Sequence, residues 1–229
     1  MNGVKMSVKL NFYHNWEIKR DQTILKLLER NSTAKVIDLG CGNGEFTLKV
    51  KEAIGIHEIF GTDCYDPSIE EARNKGITVK KCDLNESLPF EDNSFDVIVS
   101  NQVIEHLIYP VKFLNEIYRI LKPQGYCVIS TENLASWDNI GALLFAFTPF
   151  SMNYDSGLDK IGNPFSPHKS THDITYPVHV RIFTTKGLSD AFKILGFNIE
   201  IIRGDGHILN LISNLDKNHS RFITFKIKK

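Results

Sequence analysis

The segment from Val36 to Phe46 constrains the fold more strongly than any other part of this 229-residue chain. It begins as a short apolar run, turns through Gly40, Gly42 and Gly44, and continues into a helical pattern. Glycine has no Cβ, so a ligand can approach its backbone closely and a positive φ costs little. The N–H groups that open the next helix have no partner within that helix and can face a ligand. A strand, a glycine turn and a helix start therefore predict a ligand cradle.

The spacing of the glycines separates two kinds of ligand. The dinucleotide fingerprint is G-x-G-x-x-G, and its last glycine permits tight packing of helix on strand. Gly40 and Gly42 fit this pattern, but Glu45 stands at the last position, and the register that begins at Gly42 fails as well. Asp38 precedes the glycines, where it would repel a pyrophosphate and suits a ligand with an ammonium or another cationic centre. An NAD or nucleotide-sugar oxidoreductase is therefore the disfavoured alternative.

The charge balance and the cysteines limit the classes of function and the cellular compartment that we expect. The 27 Lys and Arg residues equal the 27 Asp and Glu residues, so the basic excess typical of nucleic-acid binding is missing. Without a signal-peptide pattern or an apolar run of membrane-spanning length, we expect a cytoplasmic protein with reduced thiols and no membrane span. These features indicate no particular oligomeric state. Three of the four cysteines lie at or beside predicted strand ends and are expected to be small buried side chains; the four are Cys41, Cys64, Cys82 and Cys127.

Apolar runs alternate with helical patterns along most of the chain. This alternation is typical of a doubly wound α/β fold with a mostly parallel sheet, here of seven strands. The run 94–100 is almost continuously apolar, which suits a central strand buried on both faces. The last two runs are expected to pair antiparallel, because no strong helix separates them. After the first strand at Val36, the predicted strands cover residues 58–63, 77–83, 94–100, 126–130, 197–203 and 221–228.

Two segments add to this single domain of residues 1–229. The N-terminal segment 1–33 contains an amphipathic helical pattern over 16–30, preceded by a looser stretch. The segment 132–178 interrupts the strand–helix rhythm after the fifth strand with many aromatic residues and four prolines. A long insertion at this end of a strand is usually functional, which predicts a cap or lid. The alternative is a structural excursion that packs on the sheet.

Polar side chains follow the first four strands in order. Asp38, Asp63, Asp83 and Asn101 each stand at the end of one of these strands. In an open α/β sheet, ligands bind beyond the carboxyl ends of the strands, so these four groups should converge. A carboxylate accepts two hydrogen bonds, as both hydroxyls of a ribose require. The four strand ends together predict a binding site for a nucleoside with a cationic group.

The glycine turn and three later segments resemble the class I S-adenosylmethionine-dependent methyltransferases. The turn is similar to motif I of that family, and the segment before the fourth strand resembles its small-molecule "type 11" branch. The resemblance covers roughly residues 34–131 and, more loosely, 180–203. It implies a Rossmann-like methyltransferase fold and S-adenosylmethionine as the cofactor. The matching segments are Ser87 to Ile98, Glu105 to Leu107 and Leu121 to Tyr126.

The resemblance assigns five residues to the methionine end of the cofactor. Gly40, Cys41 and Gly42 match the turn that lies along the methionine. Asp38 matches the acid that helps to hold the ammonium group. Asn101 matches the residue at the floor of the site, beside the sulfonium.

The resemblance assigns four more residues to the adenosine end. Asp63 matches the ribose acceptor, and Cys64 matches the residue beside it on the adenine. Asp83 matches the acid that takes the adenine amino group, with the Leu84 backbone next to it. Asp66 is a rival to Asp63, because the chain departs from the family pattern after the second strand. Asp63 is preferred, since it directly ends the apolar run.

The reaction implied is an in-line displacement at the sulfonium methyl by an acceptor, most simply an oxygen, with nitrogen and carbon as alternatives. Holding the two reactants aligned and away from water can supply much of the rate. A base is needed only when the acceptor must lose a proton, and His106 and His179 are the candidates. A structural histidine at a helix start is the alternative for His106, and a surface residue is the alternative for His179. No metal is predicted, since no helix aligns His168 with His172.

The expected acceptor is a small or medium-sized molecule. The aromatic residues of the 132–178 segment favour an acceptor with apolar or ring character, and a sugar is the alternative because sugars stack on aromatic rings. Nucleic acid is disfavoured by the balanced charge and by the sequence Asn101-Gln102-Val103-Ile104, which lacks the Asn-Pro-Pro-Tyr-type motif of many base methylators. A non-catalytic module that binds S-adenosylmethionine and regulates a partner is the other alternative.

Overall fold

The computed structural model describes residues 2–152, 162–166, 179–206 and 216–229, with side chains described from residue 14 onward. Strands and helices alternate along most of this part of the chain. The helices are α1 (Asn2–Leu27), α2 (Glu45–Ile54), α3 (Asp66–Asn74), a 3₁₀ turn (Ile104–His106), α4 (Pro110–Ile120), α5 (Trp137–Leu144) and α6 (Thr185–Ile194). The strands are β1 (Val36–Leu39), β2 (Phe60–Asp63), β3 (Thr78–Lys81), β4 (Phe95–Asn101), β5 (Leu121–Glu132), β6 (Asn198–Asp205) and β7 (Phe222–Lys228).

The strands form one seven-stranded sheet in the order β3-β2-β1-β4-β5-β7-β6. The first five strands pair in parallel, and β7 pairs antiparallel with both β5 and β6. The predicted doubly wound sheet with an antiparallel last strand is confirmed. The strand order reverses between β1 and β4, and such a switch point opens a crevice at the carboxyl ends of the strands.

Helices cover both faces of the sheet, which explains the continuous apolar runs of the central strands. In β4, Val97 and Val99 face a core shared with α1, α2 and α3, whereas Ile98 faces a core shared with α4 and α6. All three side chains are nearly or wholly buried. The alternation therefore fixes the register of β4, since a slip of one residue would exchange the two faces.

Helix α1 runs across the sheet from the carboxyl ends of the strands toward their amino ends. Two residues after it ends, the Glu29 backbone N–H donates to the Tyr126 hydroxyl at 2.8 Å. Eight residues earlier, Asp21 Oδ1 accepts from Asn101 Nδ2 at 3.2 Å, at the end of β4. The N-terminal part of α1 thus extends past the edge where the site is expected. Within the described residues, no helix is both long and apolar enough to cross a membrane.

Several sequence predictions of local structure need correction. The looser stretch expected over 1–15 is helical, because α1 begins at Asn2. Within the described part of the segment 132–178, residues Trp137–Leu144 form helix α5. Strand β5 is much longer than predicted, because it starts directly after α4 and continues to Glu132, paired with β7. Much of the 132–178 segment, including His168 and His172, lies outside the described residues, so the cap stays a prediction.

Candidate active site

The glycine turn between β1 and α2 has two packed positions, Gly40 and Gly44, and one open position, Gly42. Gly40 has φ +82°, and a Cβ there would meet Val103 Cγ2 at 2.5 Å. Gly42 has φ +51°, and a Cβ there would meet nothing within 4 Å. The Gly40 and Cys41 N–H groups both donate to the Thr62 carbonyl at 2.9 Å, which ties the turn to β2. The turn therefore presents open space at Gly42, as a ligand cradle requires.

Asp63, at the end of β2, is joined directly to this turn. Its carboxylate accepts from the Gly42 N–H at 2.9 Å through one oxygen, and from the Cys64 and Tyr65 N–H groups at 2.8 and 3.0 Å through the other. The rival Asp66 is exposed and pairs with Lys81 Nζ at 2.6 Å. Three backbone donors fix the Asp63 carboxylate beside the open turn, whereas Asp66 points away into an exposed ion pair.

Asp38 lies beneath the turn rather than on its surface. It is 2% exposed, and its Oδ2 accepts from the Thr47 hydroxyl on α2 at 2.6 Å. Burial raises the pKa of Asp38 to about 6, and the negative charge of Asp63 adds to the rise despite the bond from Thr47. A buried carboxylate of this kind attracts a cation placed above the turn. The Asp38 carboxylate can attract that cation at short range although its side chain does not reach the surface.

The residues expected at the adenosine end lie at the ends of β2 and β3. Asp83 is exposed and its Oδ1 accepts from the Asn85 backbone N–H at 2.8 Å, while the Leu84 side chain is buried. Cys64 is exposed, so the expectation that cysteines at strand ends are buried is wrong for this residue, which lies just beyond the end of β2. The pKa of the Cys64 thiol is raised by partial burial and then by the charges of Asp63 and Asp83.

Asn101, at the end of β4, is held by α1. Its Nδ2 donates to Asp21, which in turn accepts from Arg20 Nη2 at 2.8 Å. The Arg20 guanidinium is nearly buried and lies 5.0 Å from the centroid of the Phe222 ring. In the described part of the chain, the buried Asn101 Oδ1 has no hydrogen-bond partner. A buried acceptor of this kind suits the cationic end of a ligand, and sequence reasoning missed that Asp21 orients it.

A second group of side chains lies beyond the ends of β4 and β5, and we call it the acceptor-side cluster: Glu105, His106, Glu132, His179 and Arg221. The rings of His106 and His179 pack with their centroids 4.9 Å apart. His179 Nδ1 lies 2.6 Å from the Ser151 carbonyl, so this nitrogen carries the proton in the neutral ring. The two histidines expected from sequence are therefore brought together, although they are separated by more than seventy residues.

Three members of this cluster were missed in the sequence. Glu105 is fully buried, its Oε2 accepts from the Thr131 hydroxyl at 2.8 Å, and burial raises its pKa to about 8. Glu132 pairs with Arg221 Nη2 at 3.2 and 3.3 Å through its two oxygens. Arg221 also donates to Asp138 at 2.7 Å. Glu132 ends β5, so the rule that identified the other strand-end acids could have found it.

Comparison with known proteins finds a methyltransferase family model that matches part of the chain. Residues 37–129 match a family model described as a methyltransferase domain, Methyltransf_11. An uncharacterized methyltransferase of Schizosaccharomyces pombe is 31% identical over 135 residues, which cover 54% of this chain and 49% of that protein. A Mycolicibacterium smegmatis protein named a probable S-adenosylmethionine-dependent methyltransferase is 26% identical over 206 residues, covering 89% of this chain and 67% of that one. The chain thus spans about half the length of the first relative and two thirds of the second.

A solved structure supports the same fold. The S-adenosylmethionine-dependent methyltransferase of Mesorhizobium loti aligns with a TM-score of 0.64 at 20% identity, covering 91% of this chain and 96% of that one. The sheet and the glycine turn define the Rossmann-like class I methyltransferase fold. Over residues 37–129 the chain matches the methyltransferase domain of the type 11 branch, and S-adenosylmethionine is the cofactor that this match implies. The match favours a methyltransferase over the oxidoreductase alternative.

The described residues fit that cofactor. The open space at Gly42 leaves room for it beside the backbone, and the Asp63 carboxylate is fixed next to that space. Asp38 supplies buried negative charge beneath the turn, which suits the ammonium group and the sulfonium. Among the described residues the buried Asn101 Oδ1 has no hydrogen-bond partner, so it can face a cationic group of the cofactor.

Proposed function

We propose that the protein transfers the methyl group of S-adenosylmethionine to an oxygen of a small or medium-sized acceptor. The observation that supports this most strongly is the hydrogen bond that links Asp63 to the open glycine turn. The Gly42 N–H donates to the Asp63 carboxylate at 2.9 Å. When bound, the cofactor supplies a methyl group on a positively charged sulfur that needs no further activation. The chain then has to bind the cofactor and the acceptor, align them and exclude water from the site.

Each end of the cofactor has its own set of residues in this proposal. Asp63 accepts the ribose hydroxyls, with Cys64 beside the adenine and Asp83 and the Leu84 backbone at its amino group. The turn of Gly40, Cys41 and Gly42 lies along the methionine, and Asp38 attracts its ammonium group. Asn101 faces the sulfonium. Because Asp63 and Asn101 are both fixed by hydrogen bonds already, little ordering is left to occur on binding.

The acceptor enters from the side of the acceptor-side cluster and the aromatic segment. Exposed aromatic rings lie on that segment at Trp137, Phe145 and Phe165, and Phe165 packs edge-on against Phe147 at 5.8 Å. Rings of this kind favour an acceptor with apolar or ring character, including a sugar. Of the two histidines, His179 is the better proton acceptor, since its Nδ1 proton is held by Ser151 and its Nε2 carries the lone pair.

The proposed location of the enzyme is the cytoplasm. All four cysteines are free, as is typical of proteins in a reducing compartment. A cytoplasmic enzyme acting on a small molecule, rather than on nucleic acid, also agrees with the balanced charge.

Cofactor binding tests the assignment of Asp63. Isothermal titration with S-adenosylhomocysteine should show that Asp63→Asn weakens binding by at least about tenfold, the loss expected when hydrogen bonds to a charged group are removed. Asp66→Asn is the matched control and should stay within about threefold, because Asp66 lies in an exposed pair with Lys81. Binding of NAD instead of S-adenosylhomocysteine, or equal losses in the two variants, would contradict the proposal.

A labelled-methyl screen tests the acceptor. Phenols, sugars and lipid intermediates, each with a hydroxyl group, are incubated with the protein and labelled S-adenosylmethionine. We expect transfer to a hydroxyl, detected as a labelled methyl ether. Transfer only to amines or to carbon would overturn the assignment to oxygen. A protein that binds the cofactor but methylates nothing in the presence of its cellular small molecules would favour the regulatory module.

A further inference from the structure

Three side chains of the acceptor-side cluster have the donor set of a metal site. Glu105, His106 and His179 each offer one ligand atom, and these atoms lie within 4.8 Å of one another. Two imidazoles and one carboxylate are the ligands of many zinc sites and of other borderline divalent cations. Neighbouring ligands on zinc lie about 3.4 Å apart, given bonds of about 2.1 Å, so shifts of roughly an ångström would close the site. Small rotations of these side chains can supply such shifts.

The partners of these ligands are those that orient a metal site. His179 Nδ1 is held at 2.6 Å from the Ser151 carbonyl, which turns Nε2 into the nitrogen with the lone pair. Glu105 Oε2 accepts from the Thr131 hydroxyl at 2.8 Å. In metal sites a histidine ligand commonly donates its other N–H to a carbonyl, and carboxylate ligands are hydrogen-bonded in turn. Both arrangements are present before any cation binds.

The backbone ties the two halves of the cluster together. The Val180 and Arg181 N–H groups donate to the Glu105 carbonyl at 2.8 and 3.0 Å. His106 follows Glu105 and His179 precedes Val180, so these bonds fix the distance between the two ligand-bearing segments. The donors therefore stand on a rigid pair of segments, as a built site requires.

Glu105 supplies an independent observation. Its side chain is fully buried, and among the described residues its Oε1 has no hydrogen-bond partner. An unsatisfied buried carboxylate oxygen is costly, and a cation is one of the few partners that would offset this cost. The Glu105 carboxyl group thus has an oxygen available beside two histidines, and a cation that binds there displaces any proton that the group carries.

We propose that Glu105, His106 and His179 bind a divalent cation of the zinc type, which takes the hydroxyl of the acceptor as a further ligand. Three protein ligands leave at least one coordination position open, and a bound hydroxyl loses its proton more readily. The O–H proton then passes to water, the oxygen forms the new O–CH₃ bond, and the S–CH₃ bond breaks with its electron pair left on sulfur. When the cation is bound, it occupies the nitrogen with which His179 would otherwise accept the proton, so water takes the proton and the two histidines assist the acceptor through the cation. The site itself does not depend on the proposed function, but this role for it does.

Cobalt(II) is the probe for this site, because its visible spectrum reports coordination. The tag-free full chain is treated with EDTA, dialysed and titrated with Co²⁺. We expect one equivalent to bind with a change in visible absorption, and Glu105→Gln, His106→Ala and His179→Ala each to weaken binding at least tenfold. His57→Ala removes an exposed histidine and should bind Co²⁺ like the wild type. Glu105→Gln keeps the shape of a side chain buried against Thr131, so it separates lost coordination from lost folding.

Binding of S-adenosylhomocysteine, measured on the same samples, separates this inference from the proposed function. The three variants should bind it within about twofold of the wild type, because none of these residues is assigned to the cofactor. Absence of a spectral change with excess Co²⁺ in the folded wild type would overturn the metal site. So would a His179→Ala variant that binds Co²⁺ as tightly as the wild type. A wild type that binds Co²⁺ but not S-adenosylhomocysteine would instead contradict the proposed function.

Discussion

The cofactor side and the acceptor side of this molecule hold their acidic groups in different ways. On the cofactor side, at the ends of β2 and β3, the carboxylates of Asp63 and Asp83 accept from backbone N–H groups within two residues or from the adjoining turn. On the acceptor side, the carboxylates of Glu105 and Glu132 are fully buried and bond to side chains far away in the chain. Local turns position the first pair, whereas only the complete fold positions the second.

The free-energy cost of a carboxylate therefore differs between the two sides. A carboxylate that accepts from backbone donors at the surface stays solvated, so its charge costs the folded state little free energy. A buried carboxylate needs a partner, because an unpaired buried charge costs several kcal/mol.

Arg221 is the partner on which the acceptor side depends most. It is 1% exposed and pairs with both Glu132 and Asp138. Arg221→Leu would leave the buried Glu132 carboxylate without its main cation, which should lower the free energy of unfolding by about 3–5 kcal/mol. Urea unfolding followed by circular dichroism measures this loss. Lys112→Leu breaks an exposed pair with Glu86 and should cost less than about 1 kcal/mol.

Equal losses in these two variants would remove the distinction between buried and exposed charge. A stable Arg221→Leu protein that retains its fold would show that Glu132 takes up a proton or finds another donor. In that event the acceptor side would be no more demanding than the cofactor side.

The same contrast decides what the sequence could predict. The sheet, the parallel or antiparallel direction of its strands, and the glycine turn were predictable, because apolar periodicity and turn residues act within about ten residues. The four strand-end groups could be named for the same reason. Glu105 and Arg221 could not be named, because the contacts that define them join segments more than twenty residues apart. His106 and His179 were named as separate candidates, and only the fold shows that their rings meet.

The start of α1 illustrates a further limit. Its first half contains no clear amphipathic pattern, so the looser stretch predicted over 1–15 was wrong. The bond between Asp21 and Asn101 shows why the helix matters for the site, since it fixes a residue at the end of β4. Nothing in the spacing of residues 16–30 singles out Asp21 for that contact.

Gly42 tests the cofactor side directly. A Cβ at this position meets no atom within 4 Å, so Gly42→Ala should cost the fold only the roughly 1–2 kcal/mol of a left-handed alanine. The added methyl group would fill space assigned to the cofactor, and S-adenosylhomocysteine should bind at least tenfold more weakly, about 1.4 kcal/mol. Gly40→Ala is the contrast, because its Cβ would overlap Val103 at 2.5 Å and should destabilise the fold itself. If Gly42→Ala binds the cofactor normally, the cradle lies elsewhere.

Asp38 gives the smallest effect and qualifies the comparison, because it is a buried acid on the cofactor side. Its pKa is raised to about 6 from an ordinary value near 4, so the folded state binds the proton more tightly than the unfolded state. Its contribution to stability is therefore greatest below the ordinary pKa, falls as the pH rises toward 6, and stays lost above that pH. Asp38→Asn cannot ionise and should show no such fall, and its amide oxygen can still accept from Thr47.

The unfolding free energy of Asp38→Asn relative to the wild type should therefore rise between pH 5 and pH 8, by on the order of 1 kcal/mol, in urea titrations of the cofactor-free protein. Thr47→Val, which removes the hydroxyl donor and keeps the acid, should make the fall larger and extend it to higher pH, because the bond from Thr47 lowers the pKa of Asp38. The same Asp38→Asn protein should bind S-adenosylhomocysteine more weakly at pH 8, because the charge that costs stability is the one that attracts the ammonium group. A constant difference across this pH range would mean that Asp38 is ionised at little cost. Solvated negative charge would then be the rule on the cofactor side, and the contrast with the buried acceptor side would be complete.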